Sequence, residues 1–88
     1  MKKLWSDEAW DDYLYWQTQD KKTLKRINKL VKEIERAAAD GSTPIGKAER
    51  LRYSEAGLSS VRIDNKNRLV YKLENNTLYI VSCCGHYA

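Results

Sequence analysis

The chain has 88 residues, enough for one domain with one hydrophobic core and no second lobe to form a deep cleft. Its 16 Lys and Arg against 12 Asp and Glu leave a net charge of +4, a balance that suits a polyanionic partner such as nucleic acid but equally serves solubility. There is no apolar run long enough for a transmembrane segment, no secretory signal, and the two cysteines, Cys83 and Cys84, are adjacent.

Neighbouring strand positions face opposite ways, so a bond between the two thiols would be strained, and they lack the paired spacing of a zinc site. A reducing, cytoplasmic setting is expected, with no structural metal, no cofactor and no membrane association.

In chain order, Lys2–Trp5 reads as a short opening strand. Ser6 follows as a helix N-cap, with Asp7 and Glu8 in the first turn, where negative charge meets the positive end of the helix dipole. The first helix runs to about Gln19, with Trp10 and Tyr13 or Leu14 on its inner face, and breaks near Asp20 and Lys21. Residues 23–39 form the clearest helix, because Leu24, Ile27, Leu30, Val31, Ile34 and Ala38 recur at helical spacing. Gly41 ends it, and a loop containing Pro44 follows.

Beyond Gly46 the period falls to two. Strands are expected at 49–53, 58–64, 68–74 and 77–84, the last two joined through Asn75 and Asn76, which tolerate the positive φ of a tight hairpin. The two helices are joined too tightly for anything but an antiparallel pair. The predicted architecture is α+β: a short N-terminal strand, an antiparallel helix pair, then an antiparallel sheet of three or four strands. One sheet face buries against the helices, and the other, rich in Arg, is expected to lie open.

Charge is distributed unevenly. The first twenty residues hold Asp7, Glu8, Asp11, Asp12 and Asp20 against Lys2 and Lys3, whereas residues 21–32 hold six basic side chains and no acidic one. Arg50, Arg52, Arg62, Lys66, Arg68 and Lys72 fall in or beside the predicted strands. The groups able to do chemistry cluster late: Glu49, Arg52, Arg62, Arg68, His86 and Tyr87. RNA is cut without a metal when a base removes the 2′-hydroxyl proton, the oxygen attacks the adjacent phosphate, an acid protonates the leaving 5′-oxygen and cations absorb the added negative charge. A carboxylate, an imidazole and two or three guanidiniums suffice, and this half of the chain contains them. Each also has an ordinary reading: Glu49 as a surface carboxylate, Arg62 and Arg68 as solvated strand residues, His86 as a frayed terminus, Tyr87 as an edge of the core.

Leu4-Trp5-Ser6, the block Ala9-Trp10-Asp11-Asp12-Tyr13-Leu14-Tyr15-Trp16 and the KRINKL segment at 25–30 resemble the YoeB toxins, a branch of the RelE superfamily. So do Gly46-Lys47, Glu49, Leu51, Gly57, Arg62-Ile63, Arg68-Leu69-Val70-Tyr71 and the closing His86-Tyr87, in order over nearly the whole chain. The resemblance implies a RelE-like fold and the toxin half of a type II toxin–antitoxin pair. Its implied activity is a ribosome-dependent mRNA endonuclease that cuts the codon in the A site and leaves a 2′,3′-cyclic phosphate. Glu49 then matches the general base and His86 the general acid, whose ordinary pKa of about 6.5 suits proton donation near neutrality. Arg62 and Arg68 match the cations on the phosphate, and Tyr87 a residue that orients the substrate. Lys47, Arg50 and Arg52 would bind RNA, Arg52 standing where the family usually has Lys. Implied partners are a YefM-like antitoxin, the ribosome with its mRNA, and a second copy of the chain in a homodimer.

The chain departs from the family pattern in the loop before Arg62. There Gly57-Leu58-Ser59-Ser60-Val61 replaces a segment that usually carries a bulky aromatic and a further Arg. Ala48 and Arg50 replace flanking prolines, and Cys84-Gly85 replaces a bulkier pair. The losses at Ser59 and Val61 support a second reading, a weakened toxin homologue that binds antitoxin or ribosome and cuts poorly. A plain nucleic-acid-binding domain explains the charge but not the Glu, Arg and His set.

Overall fold

A short strand, β1 (Lys2–Trp5), leads into helix α1 (Asp7–Gln19) at Ser6, whose Oγ accepts from the Ala9 N–H at 3.0 Å and donates to the Val81 carbonyl at 2.7 Å. One hydroxyl thus caps the helix and ties its start to the last strand. The computed structural model describes residues 1–41, 49–50 and 57–85, with the backbone alone at 49 and 50.

Asp20 serves both helices. Its N–H closes α1 on the Trp16 carbonyl, and its carboxylate caps α2 (Lys21–Asp40) by accepting from the Lys22 and Thr23 amides and the Thr23 hydroxyl. Those bonds, the Thr23 hydroxyl's first, hold the Asp20 carboxyl below its ordinary value. This cap is why α2 begins at Lys21, two residues before the periodic stripe. Gly41, at φ +72°, stops α2 in the left-handed conformation that glycine adopts without strain.

The inward stripe of α2 is Thr23, Ile27, Leu30, Val31, Ile34 and Ala37. Ala37 closes it where the sequence pattern suggested Ala38, which is exposed. On α1 the correction is larger. Ala9 and Trp16 are buried and Tyr13 half-buried, whereas Trp10 and Leu14 face outward. Ala9, fully buried, carries the methyl group that lets α1 lie close to the sheet, and this sets the phase that turns Trp10 away. Trp10 still stacks on Tyr13, with ring centroids 5.9 Å apart.

Four further strands complete the sheet: β2 (Glu49–Arg50), β3 (Ser59–Arg62), β4 (Arg68–Glu74) and β5 (Thr77–Ser82), in the order β1-β5-β4-β3-β2. The meander β2–β3–β4–β5 is antiparallel as expected, but β1 joins β5 in parallel, so the sheet is mixed. A parallel pair needs a crossover, and the helix pair together with the meander supplies it. The strands are shorter than predicted at 59–62 and 77–82, and residues 51–53 of the expected 49–53 strand lie outside the described residues. Asn75 and Asn76 make the β4–β5 turn with φ of +52° and +57°, as the hairpin reading required.

Val61, Ile63, Leu69, Tyr71, Leu78, Ile80 and Cys83 meet the helices in one core. Each fully buried Leu or Ile there contributes about 1.5–3 kcal/mol of transfer free energy. A bulge opposite Val70 and Tyr71, which pair with Ser82 and Ile80, leaves Val81 as the extra residue. The bulge reverses the alternation. Ser82 falls on the face away from the helices with Val70, and Cys83 returns to the core.

Candidate active site

On β3 and β4, alternation places Ser60, Arg62, Arg68 and Val70 on the sheet face opposite the helices, because Val61, Leu69 and Tyr71 belong to the core. This face is not uniformly open, contrary to expectation. Ser60, Val70 and Ser82 are no more than 2% exposed, and the buried Ser82 hydroxyl has no hydrogen-bond partner among the described residues. Arg62 is exposed and Arg68 half-buried at the end of the β3–β4 ladder.

The two arginines are direct cross-strand partners. Their Cα atoms are therefore about 4.5–5.5 Å apart, close enough for both guanidiniums to meet one phosphate. Like charges at such a pair repel each other, so the placement favours an anion between them. The Nε of Arg68 donates to the Ser60 hydroxyl at 3.0 Å, which fixes one edge of that guanidinium. Arg26, from α2, reaches the Arg62 carbonyl at 3.4 Å.

Two neighbouring segments converge on the same rung. Register sets Glu49 opposite Ser60, two positions along β3 from Arg62. Strand geometry puts the Glu49 and Arg62 Cα atoms roughly 8 Å apart. Across β4, the Arg68 amide donates to the Gly85 carbonyl at 2.9 Å, and the Gly85 amide donates to Asn67 Oδ1 at 2.9 Å. The residue before His86 is thus bonded to Arg68 and its neighbour.

Asn67 is itself held. Its Nδ2 donates to both Asp64 carboxylate oxygens at 3.1 Å, and its carbonyl accepts from the Ile63 and Asp64 amides. Asp64 also accepts from the Lys66 and Asn67 amides at 2.8 Å. Burial pushes the Asp64 carboxyl up, but the Lys66 amide and the Asn67 side chain and amide outweigh it, and the net shift is below the ordinary 3.8.

On the core side of the same segment, the Cys83 amide donates to Asp12 Oδ2 at 2.9 Å, and the Trp16 indole N–H donates to the Cys83 carbonyl at 2.8 Å. Both cysteines are free thiols. Burial first, then the charges of Asp12 and Cys84, pushes the Cys83 thiol up to about 12, and burial also raises Cys84. Neither is poised as a nucleophile.

The structure therefore brings Arg62 and Arg68 together, sets the backbone of Glu49 in register beside them, and delivers the chain to His86 at Gly85. Arg50 pairs with Ser59. Lys47, Arg52, His86 and Tyr87 lie outside the described residues. The sequence reading missed Ser60, Asp64 and Asn67 as supports of the arginine rung. The available signal was the turn Asp64-Asn65-Lys66-Asn67, in which side-chain carbonyls compete for backbone amides.

Against known proteins, the family described as the YoeB-like toxin of bacterial type II toxin–antitoxin systems matches residues 5–87. Toxin YoeB of Escherichia coli (strain K12) is 45% identical over 87 residues, 99% of this chain and all of that protein. The YoeB dimer from Staphylococcus aureus superposes with a TM-score of 0.88 at 41% identity, covering 99% of this chain and 98% of that one. The heterotetrameric YoeB–YefM toxin–antitoxin complex from the same organism gives 0.85 at 41% identity, with the same coverage.

Proposed function

This chain belongs to the YoeB-like toxins of bacterial type II toxin–antitoxin systems, and from that premise we propose that it is a ribosome-dependent mRNA endonuclease acting in the cytoplasm without a metal. The observation that carries the reading is the Arg62–Arg68 rung, bonded through Arg68 to Gly85 and in register with Glu49.

A scissile phosphate seated on the rung receives two cations where charge builds during in-line attack. Glu49 takes the 2′-hydroxyl proton, the oxygen bonds to phosphorus, the bond to the 5′-oxygen breaks, and His86 protonates that oxygen. The products are a 2′,3′-cyclic phosphate and a free 5′-hydroxyl. Tyr87 orients the substrate, while Lys47, Arg50 and Arg52 bind flanking RNA. A YefM-like antitoxin would neutralise the toxin by covering the same cations with an acidic segment, and the S. aureus YoeB–YefM complex is the precedent for such a pairing.

The test is primer extension on mRNA held in programmed ribosomes. Wild type should cut at the A-site codon, and His86→Ala should cut about 10²–10⁴-fold more slowly. Equal cleavage by the two would remove His86 from the chemistry.

A weakened toxin that binds without cutting is the second reading, and Ser59 is its remaining ground. Val61 lies fully buried in the core, so its departure from the family pattern does not alter the surface offered to RNA. Binding to ribosomes with no cleavage product would favour that reading.

A further inference from the structure

We propose that Asn67 is the positioning residue for His86: by accepting the Gly85 amide while donating to Asp64, it fixes Gly85, the residue from which the chain continues to His86. The proposal rests on the endonuclease reading and deepens it by assigning residues that act through the general acid rather than on the substrate.

The geometry supports a one-way relay. Asp64 is held by the Lys66 and Asn67 amides, so its carboxylate is a fixed platform. Both carboxylate oxygens then receive Asn67 Nδ2, which fixes the flip of the amide and points Oδ1 at Gly85. On its other side the Gly85 carbonyl accepts from the Arg68 amide, so the adjacent residues Asn67 and Arg68 hold both the amide and the carbonyl of Gly85. Gly85 has φ of +86°, a conformation that glycine tolerates and other residues adopt under strain. The chain spends its conformational freedom there on reaching Asn67 and Arg68. None of these groups needs to touch RNA; their effect is on where an imidazole begins.

Asn67→Ala removes the acceptor. Asn67→Asp keeps an acceptor for Gly85 but loses the donor to Asp64 and sets two carboxylates against each other. The exchange Asp64→Asn with Asn67→Asp restores a donor–acceptor pair of reversed sense, and the new carboxylate again receives Gly85. Single-turnover cleavage on programmed ribosomes should therefore fall by about 10²-fold in Asn67→Ala, with the ribosome KM unchanged. It should also fall in Asn67→Asp and recover in the exchange variant. Because His86 is the only histidine, its imidazole signals are readable by NMR without ambiguity. Their titration midpoint and the protection of the Gly85 amide should change in Asn67→Ala and return in the exchange variant.

An unchanged cleavage rate in Asn67→Ala, or an exchange variant that folds yet stays as slow as Asn67→Asp, overturns the proposal. If wild type does not cut programmed ribosomes, the endonuclease reading fails, and the NMR comparison alone decides whether Asn67 positions the imidazole: unchanged midpoint and protection sink it. Should Asn67→Ala fail to fold, Asn67→Asp against the exchange variant makes the same comparison.

Discussion

Two anchors hold the segment Cys83 to Gly85, and they differ in almost every physical respect. The first lies on the core side: Trp16 and Asp12 of α1 grip the carbonyl and the amide of Cys83, with Cys83 fully enclosed. The second lies at the surface, where Asp64 and Asn67 of the β3–β4 turn hold Gly85 in solvent. In the first anchor the indole bond is buried, the Asp12 bond partly so, and both stand on a large apolar contact, so breaking them costs folding free energy. At the surface water replaces any bond that is lost, and the penalty falls on geometry. The same three residues thus carry a stability constraint on one side and a placement constraint on the other.

The largest effect expected is on the buried side. Trp16→Ala removes a ring that is 7% exposed and leaves the Cys83 carbonyl without its indole donor. The loss should be about 3–5 kcal/mol, measured as a lower midpoint in urea denaturation. A loss below about 1 kcal/mol would mean that this anchor is not the stabilising one. Next in size is Asp12→Ala, which strips the acceptor from the buried Cys83 amide and should cost about 1–3 kcal/mol in the same assay.

How well the sequence foretold these regions follows from how local each is. Helix α2 was legible because Ile27, Leu30, Val31 and Ile34 obey one period and Gly41 supplies the stop. The β4–β5 hairpin was legible because Asn75 and Asn76 carry the positive φ themselves. The inner face of α1 was not. Trp10, Tyr13, Leu14, Tyr15 and Trp16 offer apolar surface in several directions, and only the contact of Ala9 with the sheet chooses among them. The parallel partnership of β1 with β5 joins the two ends of the chain, which no local pattern encodes. The bulge at Val81 was hidden because the run from Leu78 to Cys84 is apolar or small on both faces, so alternation carried no information.

For the site, Arg62 and Arg68 were candidates by residue chemistry and then by family resemblance, and register showed them to be partners. Asp64 was read as the end of the 58–64 strand and Asn67 drew no reading, because the sequence does not reveal that the acceptor left over from the turn meets a residue eighteen positions away.

On the surface side the effects shift from stability to placement. Gly85→Ala should cost about 1–2 kcal/mol of stability, because a Cβ is strained at φ +86° even though the space around it is empty. Its larger effect should be on cleavage, since relieving the strain draws the chain away from Asn67 and Arg68. A variant that loses stability but cleaves at the wild-type rate would show that the surface anchor places nothing. The two thiols report on the buried anchor without changing the protein's stability. Cys84, half-buried, should react with a maleimide near neutral pH well before Cys83, whose thiol is pushed up to about 12 and is fully enclosed. Trp16→Ala should shorten the interval between them. Equal rates in wild type would contradict the enclosure.

The smallest expected effect is the most specific to the surface anchor. The Asp64 carboxyl titrates below its ordinary 3.8 because the charged form accepts the Lys66 and Asn67 bonds, which outweigh the opposing effect of burial. A depressed folded-state value means that the stabilisation is present above the unfolded value and disappears as pH falls through the folded one. Protonation would weaken the hold on Asn67 Nδ2, and Asn67 would then release Gly85. In a ¹⁵N NMR titration taken downward from neutrality, the Gly85 amide should move with a midpoint below 3.8, although no ionisable side chain bonds to it directly. Asn67→Ala should uncouple it, leaving Gly85 indifferent to Asp64. The Cys83 amide is bonded to Asp12 instead and should not follow the Asp64 midpoint in either protein. If both amides moved together at the Asp64 midpoint, the two anchors would be one cooperative unit, and the division between stability and placement would not hold.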